Sequence, residues 1–249
     1  MVPLLLLPPS EGKGPGGGGG WDPAAGRHRS IAEGRAEVAA ALASAMADPA
    51  LVARLTGLRG ERAHAAAQAN RSAVGAPVLP AWQRYRGVVW EHLDPGGLSR
   101  AGRRRAGRVL VVSGLGGLFG FDEPVPDYKL KMGASLPGPG PLARYWKPRL
   151  TAALAAEAAG GEVWDLLPGE HRRALDLPAA GIKAVTVNFL AAGGSGAAGH
   201  GAKAAKGRFA RHLLEAPGDF LEAAAGFSWA GWTARVEDAG LVTVTAPTT

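Results

Sequence analysis

The sequence predicts a mixed α/β protein of α+β type, with a central mixed sheet and flanking helices in no regular βαβ order. Three observations lead there. Apolar runs of strand length occur at residues 2–7, 108–113 and 184–190. Alanine-rich stretches with apolar residues at roughly helical spacing lie between them, as at 31–46 and 144–159. No internal repeat imposes a strict alternation. At 249 residues the chain allows one large domain or two small ones.

Taken in order, residues 2–7 form a buried first strand. The run is too short for a membrane span or a signal-peptide core, and it ends at Pro8-Pro9. Residues 8–13 leave it as a loop, and the glycine run at 14–20 is expected to be flexible. A helix is expected over 31–46. Asp48 suits an N-cap and Pro49 a first helical position, so a second helix starts there. It stops near Gly57, and 61–71 is helical again. Residues 49–71 are therefore helix, glycine turn, helix: a helix-hairpin-helix-like element. Most such hairpins are packing units; some hold DNA phosphates through the N–H groups of the turn.

Residues 77–80 link to a helix over 81–93 that carries Trp82, Tyr85 and Trp90. Arginines 100, 103, 104, 105 and 108 then crowd one segment, read as a solvated helix or as a phosphate patch. A helix over 144–159 and strands at 162–167 and 184–190 follow. A flexible glycine-alanine loop at 193–201 leads into a helix over 202–214. Residues 228–235 and 241–245 close the chain as an antiparallel pair.

The net charge is +7 and the isoelectric point about 10.1. Such a balance favours nucleic acid, anionic membrane or acidic substrates. There is no cysteine, which excludes disulfides, iron–sulfur clusters and thiol chemistry. The six histidines form no metal-type pair, so no metal or other cofactor is expected. No membrane segment is visible, and a cytoplasmic location is expected.

The segment Glu11-Gly12-Lys13-Gly14 is not a Walker loop, because Lys13 precedes the glycines and no Ser or Thr follows it. No Gly-x-Ser-x-Gly elbow supports a serine hydrolase. Glu170-His171 reads as a pair at a helix start, with acid–base work as the rarer alternative. Ser10, Glu11 and Lys13 carry more weight. They follow the first strand, where open α/β sheets place ligands.

The stretch 127–133 reads as a strand, with Tyr128, Leu130 and Met132 on one face and Asp127, Lys129 and Lys131 on the other. It follows the glycine-rich turn 113–121. Together they suggest a polyanion or phosphate site.

These residues resemble the YaaA peroxide stress protein family. Leu-Pro-Pro-Ser-Glu-Gly-Lys at 7–13 is similar to its N-terminal motif. Arg84–Trp90 is similar to an aromatic-Gly-Val-aromatic segment. Residues 113–118 and 127–133 resemble its Ser-Gly-Leu-Tyr-Gly and Pro-Tyr-Arg-Leu-Glu-Met-Gly pair, Tyr145-Trp146 its aromatic-Trp pair, and 203–208 its Lys-Lys-Ala-Arg-Gly helix. Order and spacing agree over nearly the whole chain. Departures are Gly116 for the family's Tyr, Phe119-Gly120-Phe121 for Leu-Arg-Pro, and Lys129 and Lys131 for Arg and Glu. The resemblance implies a single domain over 1–249 with a basic cleft. It also implies DNA binding through a helix-hairpin-helix-like element and a role limiting peroxide and iron damage. It implies no settled enzymatic activity.

Two functions are therefore expected to compete. One is sequence-independent binding of double-stranded DNA, with Lys129, Lys131, Lys203, Lys206, Arg208 and Arg211 on phosphates and Ser10 and Lys13 lining the cleft. The other is an enzyme acting on a small phosphorylated or nucleotide-like substrate, with residues 10–13, the glycine turn and Lys129/Lys131 converging on one pocket. A purely structural interaction module, its basic balance incidental, is a third possibility.

Overall fold

The computed structural model describes residues 2–191 and 199–247. Its centre is an eight-stranded mixed sheet. The strands are β1 (Leu4–Leu7), β2 (Val109–Ser113), β3 (Gly117–Gly120), β4 (Val163–Asp165), β5 (Ala184–Leu190), β6 (Ser228–Trp229), β7 (Trp232–Asp238) and β8 (Leu241–Thr245). Their spatial order is β6-β7-β8-β5-β4-β1-β2-β3. The five inner strands, β8 to β2, are parallel; β3, β7 and β6 add antiparallel edges. All four leucines of β1 and the whole of β2 are buried, as expected of parallel strands covered on both faces.

The helices are α1 (Ala32–Ala45), α2 (Pro49–Thr56), α3 (Gly60–Arg71), α4 (Val88–Leu93), α5 (Arg100–Ala106), α6 (Leu142–Ala158), α7 (His200–Glu215) and α8 (Phe220–Ala225). The α2–α3 hairpin has the expected local causes. The Asp48 carboxylate accepts from the Ala50 N–H at 2.8 Å, and Gly57 closes α2 in the left-handed conformation at φ +68°.

The helix expected over 81–93 is broken. Residues 81–84 form one turn, Tyr85–Arg86 is a short strand paired with Gly12–Lys13, and α4 starts afresh at Val88. Gly87 is the cause. Its φ is +128°, and a Cβ there would lie 2.5 Å from Ser10 Oγ.

The glycine run at 14–20 is tied down in several places. Arg84 donates to the carbonyls of Gly14 and Gly16, and Gly18 pairs with Val78. The loop expected at 193–201 lies largely outside the described residues.

The parallel order sets where a ligand can enter. The chain leaves β1 for β2 on one side, and β4 leads to β5 on the other. The order therefore reverses between β1 and β4, and the loops after these two strands diverge there into a crevice.

Candidate functional site

Two adjoining clefts open at that crevice. Pro9, Ser10, Glu11 and His171 line both and form the wall between them.

The smaller cleft, about 170 Å³, is lined by Lys13, Tyr128, Lys129 and Lys131, with Leu55 and Thr56 from the end of α2 and Leu58 from the turn of the α2–α3 hairpin. β1 aims the loop that supplies Ser10 and Lys13. Ser10 Oγ donates to the Arg86 carbonyl, and Lys13 Nζ donates to the Ser10 carbonyl at 3.0 Å. The ammonium sits 4.0 Å from the centre of the Tyr128 ring. Desolvation, reinforced by the Lys129 charge, pushes Lys13 down to about 7.

Beneath it, Tyr128 bonds Ser113 at 2.7 Å and Tyr85 at 3.0 Å. Burial pushes Tyr128 up to about 12 and Tyr85 well above the ordinary phenol range. Both phenols are neutral at physiological pH, so Lys13 rests on a neutral ring and not on a phenolate.

The lysine strip at 127–133 shows the expected alternation of burial: Tyr128, Leu130 and Met132 are inside, and Asp127 and Lys131 are exposed. It is not a strand, however, because no neighbouring strand pairs with it. A side chain takes the partner's place. Asn70, at the buried end of α3, accepts from the Lys129 N–H at 2.7 Å and donates to the Lys129 carbonyl at 2.9 Å. Extended backbone with its polar groups satisfied needs no sheet.

On the outer face Lys131 pairs with Glu11 at 3.0 Å, and Lys129 donates to the Glu11 carbonyl. The Lys131 contact holds the Glu11 carboxyl below its usual range. Lys131, a charge reversal against the family pattern, thus meets an acidic partner in this chain.

The glycine turn does not join the site. Residues 113–121 form the β2–β3 hairpin, and its tip is buried. The N–H groups of Leu115 and Gly116 donate to Ser113 Oγ. Trp146 donates to the Gly114 carbonyl at 2.9 Å, and Arg35 donates to the Gly116 carbonyl at 2.9 Å. A buried turn with these polar groups occupied does not face either cleft to cradle a phosphate, which corrects the expectation that it would.

The larger cleft, about 690 Å³, lies over the ends of β1, β4 and β5. Lys203 and Lys206 reach it from α7. Gly207 lets α7 approach α4 closely, since a Cβ there would stand 2.2 Å from the Val89 carbonyl oxygen. This presses Lys206 inward until it is 9% exposed. Its ammonium donates to the Leu166 carbonyl just past β4 and sits 5.0 Å from the centre of the Phe189 ring. Desolvation pushes it down to about 7, opposed by the charge of Asp165. Asp165 itself is occupied by Arg172, at 2.5 Å, and by the Leu167 N–H.

Arg208 and Arg211 lie away from both linings. Arg211 bonds the carbonyls of Leu93, Asp94 and Gly97 and pairs with Asp94 at 2.9 Å, so it holds the turn after α4. The Arg208 guanidinium lies 5.8 Å from the centre of the Trp229 ring.

The structure also brings forward residues that the sequence did not single out as a site, Arg172, Asn188 and Trp90, and it places His171, weighed there only as a rarer acid–base candidate, between the clefts. His171 Nδ1 is buried without a hydrogen-bond partner, and desolvation pushes the ring down to about 4. For His171 and Arg172 only position after a strand end could have flagged a site, because Leu-Leu-Pro-Gly-Glu-His-Arg at 166–172 carries no motif of its own. Among the described residues, no group of three His, Asp or Glu side chains is placed to hold a metal ion, and no helix is long and apolar enough to cross a membrane.

An open, largely parallel mixed sheet with two clefts at its switch point defines a mixed α/β protein. The chain belongs to the peroxide stress protein YaaA family, whose model matches residues 4–238. It is 35% identical over 235 residues to a UPF0246 protein of Streptomyces coelicolor, covering 88% of each chain. It is 30% identical over 254 residues to a UPF0246 protein of Corynebacterium efficiens, covering 97% of this chain and 98% of that one. The resemblance read from the motifs is borne out, and membership of the family supports a role in peroxide stress.

Proposed function

We propose that the protein acts in peroxide stress by binding double-stranded DNA, without sequence preference, along the basic clefts. In this reading it helps limit iron-dependent oxidative damage at the DNA itself. One observation carries the reading: the turn of the α2–α3 hairpin and the Lys129–Lys131 strip wall the same cleft. Lysines gathered beside a helix-hairpin-helix-like turn suit a phosphate backbone. Lys203, on the far side of Glu11, extends the positive surface into the second cleft and acts electrostatically on the Glu11 carboxylate.

The test is a salt titration of binding to a duplex oligonucleotide, followed by fluorescence anisotropy. Each neutralised phosphate contributes about −0.9 to the slope of log affinity against log salt. The Lys129→Ala/Lys131→Ala/Lys203→Ala variant is expected to flatten that slope by roughly two to three. An unchanged slope, or no duplex binding by the parent protein at low salt, overturns the proposal.

A further inference from the structure

Lys206 is not explained by DNA binding. It is too buried to meet a duplex backbone, yet it lines an open cleft. An ammonium has three N–H donors. Among the described residues Lys206 makes one hydrogen bond, to the Leu166 carbonyl, and has no carboxylate within ion-pair distance. Two donors have no partner among the described residues and are available to an anion that enters the cleft.

The surroundings specify the anion further. Arg172 and Lys203 line the same cleft, so two more cations face the space that Lys206 faces. Asn188 adds an amide. The remaining wall is apolar, with Trp90, Val187 and Phe189 among its members. At about 690 Å³ the cleft is far larger than a bare phosphate and lies within the usual range for small-molecule sites, about 300–1,000 Å³.

We infer that the cleft over β1, β4 and β5 is a binding site for a small phosphate monoester carrying a flat apolar group, with Lys206 as the buried phosphate donor. A nucleoside monophosphate has this chemistry. The two readings share Lys203, but Lys206 belongs to this site alone, whereas the duplex reading rests on Lys129, Lys131, Lys203 and the hairpin turn. Binding is coupled to proton uptake. Desolvation lowers Lys206 to about 7, with the Asp165 charge opposing and the Arg172 charge reinforcing it, so the amine is partly neutral at neutral pH. His171 carries no charge there to assist. A bound phosphate dianion restores the full ammonium.

The experiment is isothermal titration calorimetry with adenosine 5′-monophosphate at pH 7.5, in buffers of different ionisation enthalpy. Inorganic phosphate serves as the second probe. The phosphate of the nucleotide is almost fully ionised at this pH, so protons taken up belong to the protein. Expected are saturable nucleotide binding at least about tenfold tighter than phosphate and uptake of roughly half a proton or more per site. Lys206→Arg keeps a cation that does not titrate. It is expected to retain binding within about threefold while proton uptake disappears. Lys206→Met removes the donor and is expected to weaken binding at least about tenfold, with its far-ultraviolet circular dichroism unchanged. Absence of nucleotide binding, equal affinity for nucleotide and phosphate, or unchanged proton uptake in Lys206→Arg each overturns the inference. Duplex binding by the same Lys206→Arg protein is expected to be unaltered, so the two readings fail independently.

Discussion

Two buried arginines and two desolvated lysines divide the interior of this molecule, and they are treated in opposite ways. Arg35 is 1% exposed and donates to the carbonyls of Ala25, Gly116 and Leu118, with Glu123 at 3.3 Å. Arg84 is 2% exposed and donates to the carbonyls of Gly14, Gly16, Pro77 and Val125. Each guanidinium ties together segments far apart in sequence. Lys13 and Lys206 each donate to one carbonyl and face a cleft. A buried cation with its donors satisfied is part of the scaffold. A partly or largely buried cation beside a cleft with donors left over can bond what the folded chain does not itself supply.

The contrast can be broken first at the arginines. Arg84→Met leaves four carbonyls without their donor, and Arg35→Met leaves the Glu123 carboxylate buried beside an apolar chain. Each is expected to cost about 3–5 kcal/mol in urea unfolding. The next largest effect belongs to the clamp under the lysine strip. Asn70→Ala removes both hydrogen bonds to Lys129 and is expected to cost about 1–3 kcal/mol. Under the proposed function it is also expected to weaken duplex binding, because the strip loses its fixed course.

Lys206→Met is expected to go the other way, leaving stability unchanged or raising it by up to about 2 kcal/mol at pH 7. The pH dependence carries the same information. The folded values of Lys13 and Lys206, about 7, lie below the ordinary lysine value, so the unfolded chain binds more protons between the two. Stability therefore rises with pH from about 7 towards 10 and is lost as pH falls through 7. Tyr85 and Tyr128 reverse the trend above about 10, since their folded values lie above the unfolded one. In Lys13→Met/Lys206→Met the rise between 7 and 10 disappears. The smallest effect is expected at Lys131→Ala, which breaks an exposed pair with Glu11 and changes stability by less than about 0.5 kcal/mol.

The same contrast explains what was legible in the sequence. The first strand, the Asp48-Pro49 helix start and the alternation at 127–133 follow from local rules, and the structure shows each of them. That 127–133 lacks a strand partner was not legible, because its partner is one asparagine on a helix 59 residues earlier. Nor was the break at Gly87, where the chain pattern 81–93 reads as continuous helix. Arg35 and Arg84 were hidden among 21 arginines. Nothing in one dimension separates an arginine that gathers distant carbonyls from one that faces water. Lys13 and Lys206 were singled out for their charge, while the burial that gives them their chemistry depends on α7 closing against α4 and on the ring of Tyr128.

The most direct test of the account is a titration of the lysine Cε carbon signals by nuclear magnetic resonance. Two signals are expected to move near pH 7, one absent in Lys13→Arg and the other in Lys206→Arg. A spectrum in which no lysine signal titrates below pH 9 would contradict it.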